Sequence, residues 1–305
     1  MKNIYIGKGF LRTIFFATLN CKYLILTLTD LGNSYIKKSK FCYRYIYLYH
    51  SAISTHVGYK KDAFWNYDII LCNGEYQFQE IRHAEKLYKL NKKIFIKTGY
   101  MYFEFLKSKK LKNNKEKTNT VVLAPTWINS KGNLFEDFAY GIIDNLLSNK
   151  YKVVLRPHPE HFKHFKKTIK KIRDKFDGNE KFYFEENIND FSNLENSDLL
   201  ITDYSGISIE YILIFKKPVV FINSSEKIRN KDFAELNIEN IEKKIKREFG
   251  YEIEPKNIYD IKNLVKTAIT EGIPKQNESV EKFIINNFYN SRDAKKLITE
   301  LLINK

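Results

Sequence analysis

The stretch Asp198-Leu-Leu-Ile-Thr-Asp-Tyr-Ser-Gly206 predicts a buried strand that ends on small and polar residues. A short apolar run bounded by turn-forming residues is typical of a buried strand, and hydroxyl residues followed by glycine are typical of a helix start. Apolar residues recur from Ile207 to Phe215 and predict that helix. A strand that passes directly into a helix is the building unit of α/β folds with parallel sheets.

The same alternation of strand and helix extends in both directions along the chain. Further strands are predicted at residues 23–29, 43–49, 67–72, 93–97, 121–124, 152–155, 182–184 and 218–222. Helices are predicted before the first strand, at residues 75–90, 134–148 and 160–176, and over most of the remainder. This pattern predicts an α/β protein with two parallel-sheet units facing across a cleft. Ligands of such sheets bind beyond the carboxyl ends of the strands.

A lysine-rich segment separates the two sets of strands. Lys107 to Asn119 contains six lysines and lacks apolar periodicity after Leu111. We therefore predict an N-terminal Rossmann-like domain over residues 1–112, a linker over 113–119 and a C-terminal Rossmann-like domain over 120–305.

Composition and charge limit the class of protein and its partners. The 305 residues are 43% hydrophobic and 29% charged, which excludes a wholly disordered or fibrous chain. There are 52 Lys and Arg against 36 Asp and Glu, a net charge of +16. Such a balance favours polyanionic partners, namely nucleic acid, an anionic membrane or phosphate-rich substrates, although part of the lysine excess is typical of an AT-rich genome.

Cysteines and apolar segments predict the compartment. Cys21, Cys42 and Cys72 are odd in number and form no CxxC motif, so we expect core thiols in a reducing cytosol. The apolar stretch Thr13 to Thr29 is short for a membrane span and is interrupted by polar residues, and the chain start shows no signal-peptide pattern. We expect a cytoplasmic protein, with peripheral attachment to the inner face of the cell membrane left open.

His50 is the first candidate for catalysis. It follows the strand that ends at Tyr49, and its imidazole is suited to general-base catalysis because its ordinary pKa lies near neutrality. Ser51 could orient this histidine or bind phosphate. A surface-loop histidine with local hydrogen bonds is the structural alternative.

The second candidate is Arg156-Pro-His158-Pro159, directly after a strand. Two prolines restrict the backbone around the histidine. Arg156 could bind a phosphate through two parallel hydrogen bonds, and His158 could donate to a phosphate oxygen. A rigid turn is the alternative. His161 and His164, on the following helix, are expected to face solvent.

The third candidate is the segment after the strand at 198–201. Its amide hydrogens at a helix start would form an anion site that suits a pyrophosphate. The candidate residues are Thr202, Asp203, Tyr204, Ser205, Gly206 and Ser208, with Glu210 placed to reach a ribose. The alternative is that Ser205 caps the helix, Asp203 closes a turn and Glu210 is simply exposed. Thr126, in Ala124-Pro-Thr-Trp127 after another strand, is a weaker candidate for lining the cleft.

These residues together resemble the CDP-glycerol glycerophosphotransferases of teichoic acid and capsule synthesis. The resemblance covers about residues 20–290 and is carried by His50-Ser51, by Leu155-Arg-Pro-His-Pro159 and by Ser197-Asp-Leu-Leu-Ile-Thr-Asp-Tyr-Ser205 followed by Lys217-Pro218. Two departures concern the specificity: many members have His-Gly instead of His50-Ser51, and Tyr-Ser-Ser instead of Tyr204-Ser205-Gly206.

The resemblance implies a GT-B fold, with an acceptor-side N-terminal domain and a nucleotide-donor C-terminal domain. It implies transfer of a polyol phosphate, glycerol phosphate above all, from a CDP-activated donor to an acceptor hydroxyl of a cell-surface polymer, with release of CMP. His50 then matches the general base and His158 the histidine near the donor phosphates. Arg156, Thr202, Ser205, Gly206 and Ser208 match the phosphate-binding region. The implied partners are a CDP-polyol, a polymer or lipid-linked acceptor and an anionic membrane surface.

Two other functions remain open from the sequence. A GT-B capsule glycosyltransferase using a CMP-sugar would break the anomeric bond instead of transferring a phosphate. A basic nucleic-acid-binding module would need a basic face interleaved with aromatics, and the lysines form no such motif, so we expect no nucleic-acid partner. The sequence shows no DxD motif, and we expect neither a metal nor a cofactor.

Overall fold

Each predicted half of the chain contains one parallel sheet. The computed structural model describes residues 5–7, 9–33, 35–108, 117–128, 131–274, 279–292 and 294–303. These divide into two units, the first drawn from Met1–Glu104, Ile228–Asn240 and Ile285–Lys305 and the second from Phe105–Lys227 and Ile241–Ile284. Residues 113–116 of the predicted linker lie outside the described residues.

The first unit is built on a four-stranded sheet in the order β1-β2-β3-β4, all parallel. Its strands are β1 (Cys21–Leu26), β2 (Cys42–Leu48), β3 (Ile69–Leu71) and β4 (Ile94–Ile96). The helices of this part of the chain are α1 (Phe10–Thr18), α2 (Thr55–Gly58), α3 (Glu75–Leu87) and α4 (Met101–Ser108). The strand predicted at 23–29 as buried is instead the edge strand β1, whose side chains are half-buried or exposed.

Aromatic residues fill the core beneath the carboxyl end of β2. Tyr47 is fully buried, and its ring centroid lies 4.8 Å from that of Tyr49, 4.9 Å from Phe64 and 5.0 Å from Tyr67 in edge-on contacts. Edge-on pairs of this kind add to the energy of burial. The strand that leads to His50 is therefore anchored by its own tyrosines.

The second unit has six parallel strands in the order β10-β9-β8-β5-β6-β7. They are β5 (Thr120–Leu123), β6 (Lys152–Leu155), β7 (Phe182–Phe184), β8 (Leu199–Thr202), β9 (Val219–Ile222) and β10 (Gly250–Ile253). Read from β7, this is the doubly wound order of a Rossmann sheet, with the topological switch point between β5 and β8. The predicted α/β fold with parallel sheets is confirmed. Strand β10 falls in the region predicted to be mostly helical.

Helices connect these strands and then return the chain to the first unit. They are α5 (Ala139–Ser148) after a π-helical turn at Leu134–Phe138, α6 (Pro159–His164), α7 (Lys166–Phe176), α8 (Ser192–Asn196), α9 (Ile207–Glu210) with a π-helical continuation at Tyr211–Phe215, α10 (Ile241–Phe249), α11 (Ile261–Glu271), α12 (Val280–Asn287) and α13 (Ala294–Ile303). Short 3₁₀ helices span Phe233–Leu236 and Pro255–Asp260. The single helix predicted at 160–176 is divided at Phe165, whose backbone is not helical.

The predicted assignment of residues 120–305 to one domain differs from the observed units. Ile228–Asn240 and Ile285–Lys305 belong to the first unit. The reason is visible in α13, where the buried Leu301 packs with Ile46, Ile69 and Leu71 of the first sheet. The sequence of α13 does not show whether its apolar face covers the first sheet or the second. Among the described residues, no helix is both long and apolar enough to cross a membrane.

Cys21 and Cys42 are the first residues of β1 and β2, and Cys72 directly follows β3. Cys42 and Cys72 are buried, whereas Cys21 is half-buried, and all three are free thiols. Cys21 and Cys42 are register partners on β1 and β2, with sulfur atoms 3.5 Å apart. Burial, together with the neighbouring Cys42, raises the pKa of Cys21 to about 11.

Candidate active site

In the first unit, the loop that carries His50 is held by side chains from outside the loop. Its four consecutive carbonyls each accept a hydrogen bond from a side chain. The pairs are Tyr100 Oη to His50 O at 3.5 Å, Asn73 Nδ2 to Ser51 O at 3.2 Å, Tyr76 Oη to Ala52 O at 2.5 Å and Gln77 Nε2 to Ile53 O at 3.1 Å. These bonds fix the loop backbone while the side chain of His50 stays exposed after the end of β2.

The donors are themselves fixed at the turn between β3 and α3. Asn73 N donates to Gln77 Oε1 at 3.0 Å, and Asn73 O accepts from Tyr289 N at 2.9 Å. A Cβ on Gly74 would lie 1.9 Å from the carbonyl oxygen of Asn287, so only glycine fits this close approach. The sequence predicted that a strand ends just before Asn73-Gly74 and that a helix begins just after them. It gave no sign that this turn supports the loop of His50.

A second group in the first unit was missed by sequence analysis. His56 Nδ1 lies 3.2 Å from Glu80 Oε1, its Nε2 lies 3.0 Å from Ile238 O, and both side chains are buried. Thr55 donates to Glu80 Oε2 from its amide at 2.5 Å and from its hydroxyl at 2.6 Å. The contact of His56 with Glu80 connects α2 to α3, and its contact with Ile238 O connects α2 to the segment 228–240.

In the second unit, Asp203 joins three strand ends at the carboxyl edge of the sheet. Its Oδ1 accepts from Thr126 N at 2.8 Å, after β5, and its Oδ2 from Ser224 Oγ at 3.2 Å, after β9. Thr202 Oγ1 donates to Ala124 O at 2.6 Å. Burial raises the pKa of Asp203, and the hydrogen bonds from Thr126 and Ser224 oppose that shift. Thr126, Thr202 and Asp203 are thus brought together, with Asp203 and Thr202 bonded to protein groups.

The remaining residues of the segment 204–210 lie around the start of α9. Tyr204 Oη donates to Glu226 Oε1 at 3.1 Å, and burial raises the pKa of the Tyr204 hydroxyl. Ser205 O accepts from Ser208 Oγ at 2.7 Å and from Ser208 N at 3.1 Å. Gly206, not Ser205, occupies the cap position of the helix. Ser205 and Gly206 are partly exposed, and so is Glu210.

His158 caps α6 with a defined ring orientation. Its Nδ1 accepts from Glu160 N at 3.1 Å, while its backbone N–H donates to His161 Nδ1 at 3.1 Å. Because Nδ1 is an acceptor, the neutral imidazole of His158 carries its proton on Nε2. The side chain is exposed, so this geometry presents a hydrogen-bond donor after the end of β6.

Arg156 is buried and holds a loop of its own unit. Its guanidinium pairs with the carboxylate of Glu185, with Asp190 O at 2.8 Å and with Ile188 O at 2.5 Å. It also lies 5.4 Å from the ring centroid of Phe191. These contacts account for three of the five N–H donors of the guanidinium, all within residues 185–191, and favour a positioning role for Arg156.

The expectation that His161 faces solvent is wrong, whereas His164 is exposed as predicted. His161 is fully buried and stacks on Phe135 with ring centroids 4.1 Å apart. Burial, and then the nearby His158, lowers the pKa of His161 to about 4. The ring is therefore neutral near pH 7 and serves as the acceptor that fixes the backbone of His158.

The described residues contain no group of three or more His, Cys, Asp and Glu side chains placed to hold a metal ion. The predicted independence of metal and cofactor stays a prediction.

Two α/β units, each built on a parallel sheet, define the GT-B class of fold. A sequence model of the family "CDP-Glycerol:Poly(glycerophosphate) glycerophosphotransferase" matches residues 11–232. The chain belongs to this family. It is a transferase that moves glycerol phosphate from CDP-glycerol to a poly(glycerophosphate) acceptor. The family favours this activity over the CMP-sugar transferase and the nucleic-acid-binding module.

Solved structures share the fold at low sequence identity. The wall teichoic acid polymerase TagF, in one variant form, is 16% identical over 93% of this chain and 72% of its own, with a TM-score of 0.57. A TagF variant soaked with CDPG is 16% identical over 93% and 71% of the two chains, with a TM-score of 0.54. A putative UDP-N-acetylglucosamine 2-epimerase from Listeria monocytogenes is 13% identical over 86% and 68%, with a TM-score of 0.50. No curated protein sequence matches the chain.

The hydrogen bonds that hold the His50 loop allow a prediction of how Gln77→Glu changes kcat. This change keeps the acceptor for Asn73 N but removes the donor to Ile53 O and places a carboxylate beside that carbonyl. We expect kcat to fall roughly 10- to 100-fold, since small displacements of a catalytic group have effects of this size. Steady-state kinetics below the melting temperature of the variant would measure it.

Gln79→Glu is the matched control, because Gln79 is exposed on the same helix and its side chain donates to Glu75 of that helix. We expect it to leave kcat within about twofold of the native value, as surface changes of this kind have small effects. Equal kcat in the two variants would show that the loop needs no donor at residue 77.

The buried His161 predicts a pH dependence of stability. Its pKa in the folded protein, about 4, is below the ordinary histidine value, so the unfolded chain binds more protons between these two values. Stability from this residue is present above about pH 6.5 and is lost as pH falls towards 4, by up to about 1.4 kcal/mol per pH unit. His161→Phe keeps the stacking on Phe135 and should remove this component of the slope. Denaturant unfolding at several pH values would measure it, and an unchanged slope would contradict the assignment.

Proposed function

We propose that His50 and His158 both act in the glycerophosphate reaction, His50 as the general base and His158 as a hydrogen-bond donor to a phosphate oxygen of the donor. The acceptor hydroxyl loses its proton to His50 as its oxygen forms a bond to the glycerol-bearing phosphorus of CDP-glycerol. The bond between that phosphorus and the bridging oxygen breaks, and the oxygen leaves on CMP. The products are a polymer longer by one glycerol phosphate, CMP and one proton, which His50 passes to solvent.

The ring geometry of His158 is the observation that supports its role. Its Nδ1 accepts from the Glu160 amide, so its neutral ring carries the proton on Nε2, the atom that would donate to a phosphate oxygen of the donor. A hydrogen bond aimed at a phosphate oxygen stabilises the negative charge that develops during transfer. His161 supports this arrangement by accepting from the His158 amide at 3.1 Å.

The start of α9 is proposed to bind the donor pyrophosphate. Ser205 and Gly206 are partly exposed at the start of this helix, and the first turn of a helix favours a bound anion. Ser208, Thr202 and Asp203 keep this segment in place through bonds within the protein. We assign Arg156 the same kind of supporting role through residues 185–191, and Ser51, Thr126, Tyr204 and Glu210 remain candidate contacts of the substrates.

Replacing either histidine should remove most of the turnover. We expect His50→Ala and His158→Ala each to lower kcat roughly 10²–10⁴-fold, the usual contribution of an acid or base. The assay is CMP release from CDP-glycerol in the presence of the polymer acceptor, with glycerol phosphate retained on the product.

Each unit supplies an exposed histidine as control. His83 lies on α3, where its Nδ1 donates to Gln79 O at 2.8 Å, and His164 lies on α6 against Trp127. His83→Ala and His164→Ala should keep turnover within about threefold of native, as expected of exposed residues. Near-native turnover of His50→Ala or His158→Ala would remove that residue from the mechanism.

We also propose that the protein attaches peripherally to an anionic membrane through α1. Phe10, Leu11 and Ile14 lie on one face of this helix and are 77%, 76% and 42% exposed. A surface helix normally turns its polar face outward, so an apolar outward face is typical of a contact site. Tyr35, which α1 contacts through Thr13, leads into Lys37, Lys38 and Lys40, and lysines beside an apolar helix face favour anionic lipid.

Leu11→Glu with Ile14→Glu should weaken binding to phosphatidylglycerol vesicles by at least about tenfold, because two apolar contacts are lost and like charges are added. Ile285→Glu with Ile303→Glu, at residues 78% and 71% exposed on other helices of the same chain, is the control. Co-sedimentation with phosphatidylglycerol and phosphatidylcholine vesicles measures the effect. Equal loss in both double variants would argue against α1 as the contact.

A further inference from the structure

Helix α7 is the most basic helix of the second unit and has no part in the proposed reaction. Six of its eleven residues are Lys or Arg, and Asp174 is its one acidic residue. Two of the six have acidic partners: Lys170 pairs with Asp174 at 2.5 Å, and Arg173 pairs with Glu186. The helix therefore has an excess of positive charge that these pairs do not neutralise.

Three of these cations form a row along one side of α7. Lys167, Lys171 and Lys175 are spaced four residues apart and are all exposed. None of the three forms an ion pair with an acidic residue in the described parts of the chain. Like charges at this spacing destabilise a helix, so the arrangement has a cost that a bound anion would remove. These three residues are called the lysine row below.

The lysine row borders a surface groove between α5 and α7. The groove has a volume of about 500 Å³ and is lined by Tyr140, Lys167, Lys170, Lys171, Asp174 and Lys175. Tyr140 is half-buried and packs on Phe176, with ring centroids 5.2 Å apart, so it forms a fixed wall. Lys171 Nζ lies 4.4 Å from the centroid of the Tyr140 ring. The groove thus combines one rigid aromatic side chain with an array of ammonium groups.

We propose that the lysine row binds the poly(glycerophosphate) acceptor at a site separate from its reacting end. The inference rests on the acceptor of the family, which carries a phosphate on every repeat. Four-residue steps along a helix place neighbouring lysines about 6 Å apart along the axis, and the whole row spans about 12 Å. A linear polyanion can therefore contact all three lysines at once, whereas a single phosphate can contact only one or two.

The position of the row in the chain connects it to the reaction. Helix α6 begins directly after His158, and α7 follows it after Phe165 alone. A polymer on the lysine row is held by the same connection between β6 and β7 that carries His158. The consequence is a dependence on acceptor length: long acceptors gain contacts on the lysine row that short acceptors lack.

The test replaces the row by K167Q, K171Q and K175Q together. Wild type and the triple variant are compared with CDP-glycerol and two acceptors, a glycerophosphate oligomer too short to reach the row and a long poly(glycerophosphate) chain. We expect KM for the long acceptor to rise about tenfold, as three exposed charge contacts are lost. Kinetics with the short acceptor should stay unchanged, and added salt should reduce the difference between the two proteins.

A second triple variant matches the change in charge. Lys256, Lys262 and Lys266 are exposed residues of the same unit outside α7, so K256Q, K262Q and K266Q give the same net charge. We expect native KM values for both acceptors. Equal effects of the two triple variants would reduce the result to net charge and overturn the proposal, as would an unchanged KM for the long acceptor in the row variant.

Equilibrium binding of long poly(glycerophosphate) to the intact protein, without CDP-glycerol, separates this proposal from the proposed mechanism. Loss of binding in the row variant together with native binding in His158→Ala supports the lysine row even if the histidine roles are wrong. Native polymer binding in the row variant, with loss of binding to phosphatidylglycerol vesicles, would assign the row to the membrane and overturn the proposal.

Discussion

The buried carboxylate of Asp203 is the constraint on which the donor half of the protein depends. A buried carboxylate is costly unless it is hydrogen-bonded, and here its partners come from the loops after two other strands. Thr126 supplies an amide and Ser224 a hydroxyl, so three loops at the carboxyl edge of one sheet share a single acceptor. The segment that opens α9 begins from this fixed point. Its small residues Ser205 and Gly206 are partly exposed.

In the first unit, too, side chains form hydrogen bonds to a loop after a strand. There the loop backbone supplies the acceptors and the side chains supply the donors. The loop after β2 has four consecutive carbonyls, and side chains of Asn73, Gln77 and two tyrosines supply the donors. In both units the polar backbone of a strand-end loop is satisfied by residues distant in the sequence. His50 is exposed on the loop held in this way, and His158 is exposed on a loop whose backbone is held by His161. Such preorganisation is what catalysis by positioning requires.

Much of the fold followed from local patterns. The strands, the order of strands and helices, and the polar residues at strand ends could be predicted because apolar periodicity and turn residues act over a few positions. The role of Arg156 could not be predicted in this way. Its partner Glu185 is 29 residues away, and a free arginine and a paired one look the same in sequence. The pairing of His56 with Ile238, 182 residues apart, was hidden for the same reason.

The sequence by itself determined the α/β class, the two candidate histidines and the family resemblance, because these depend on short motifs and on neighbouring residues. Only the tertiary structure decided which polar groups are buried and which are exposed. It buried His161 and left His164 at the surface, although both lie on the same short helix. It also returned α13 to the first sheet. The physical reason is that burial and hydrogen-bond partners depend on what packs against a residue, and that is set by contacts between distant parts of the chain.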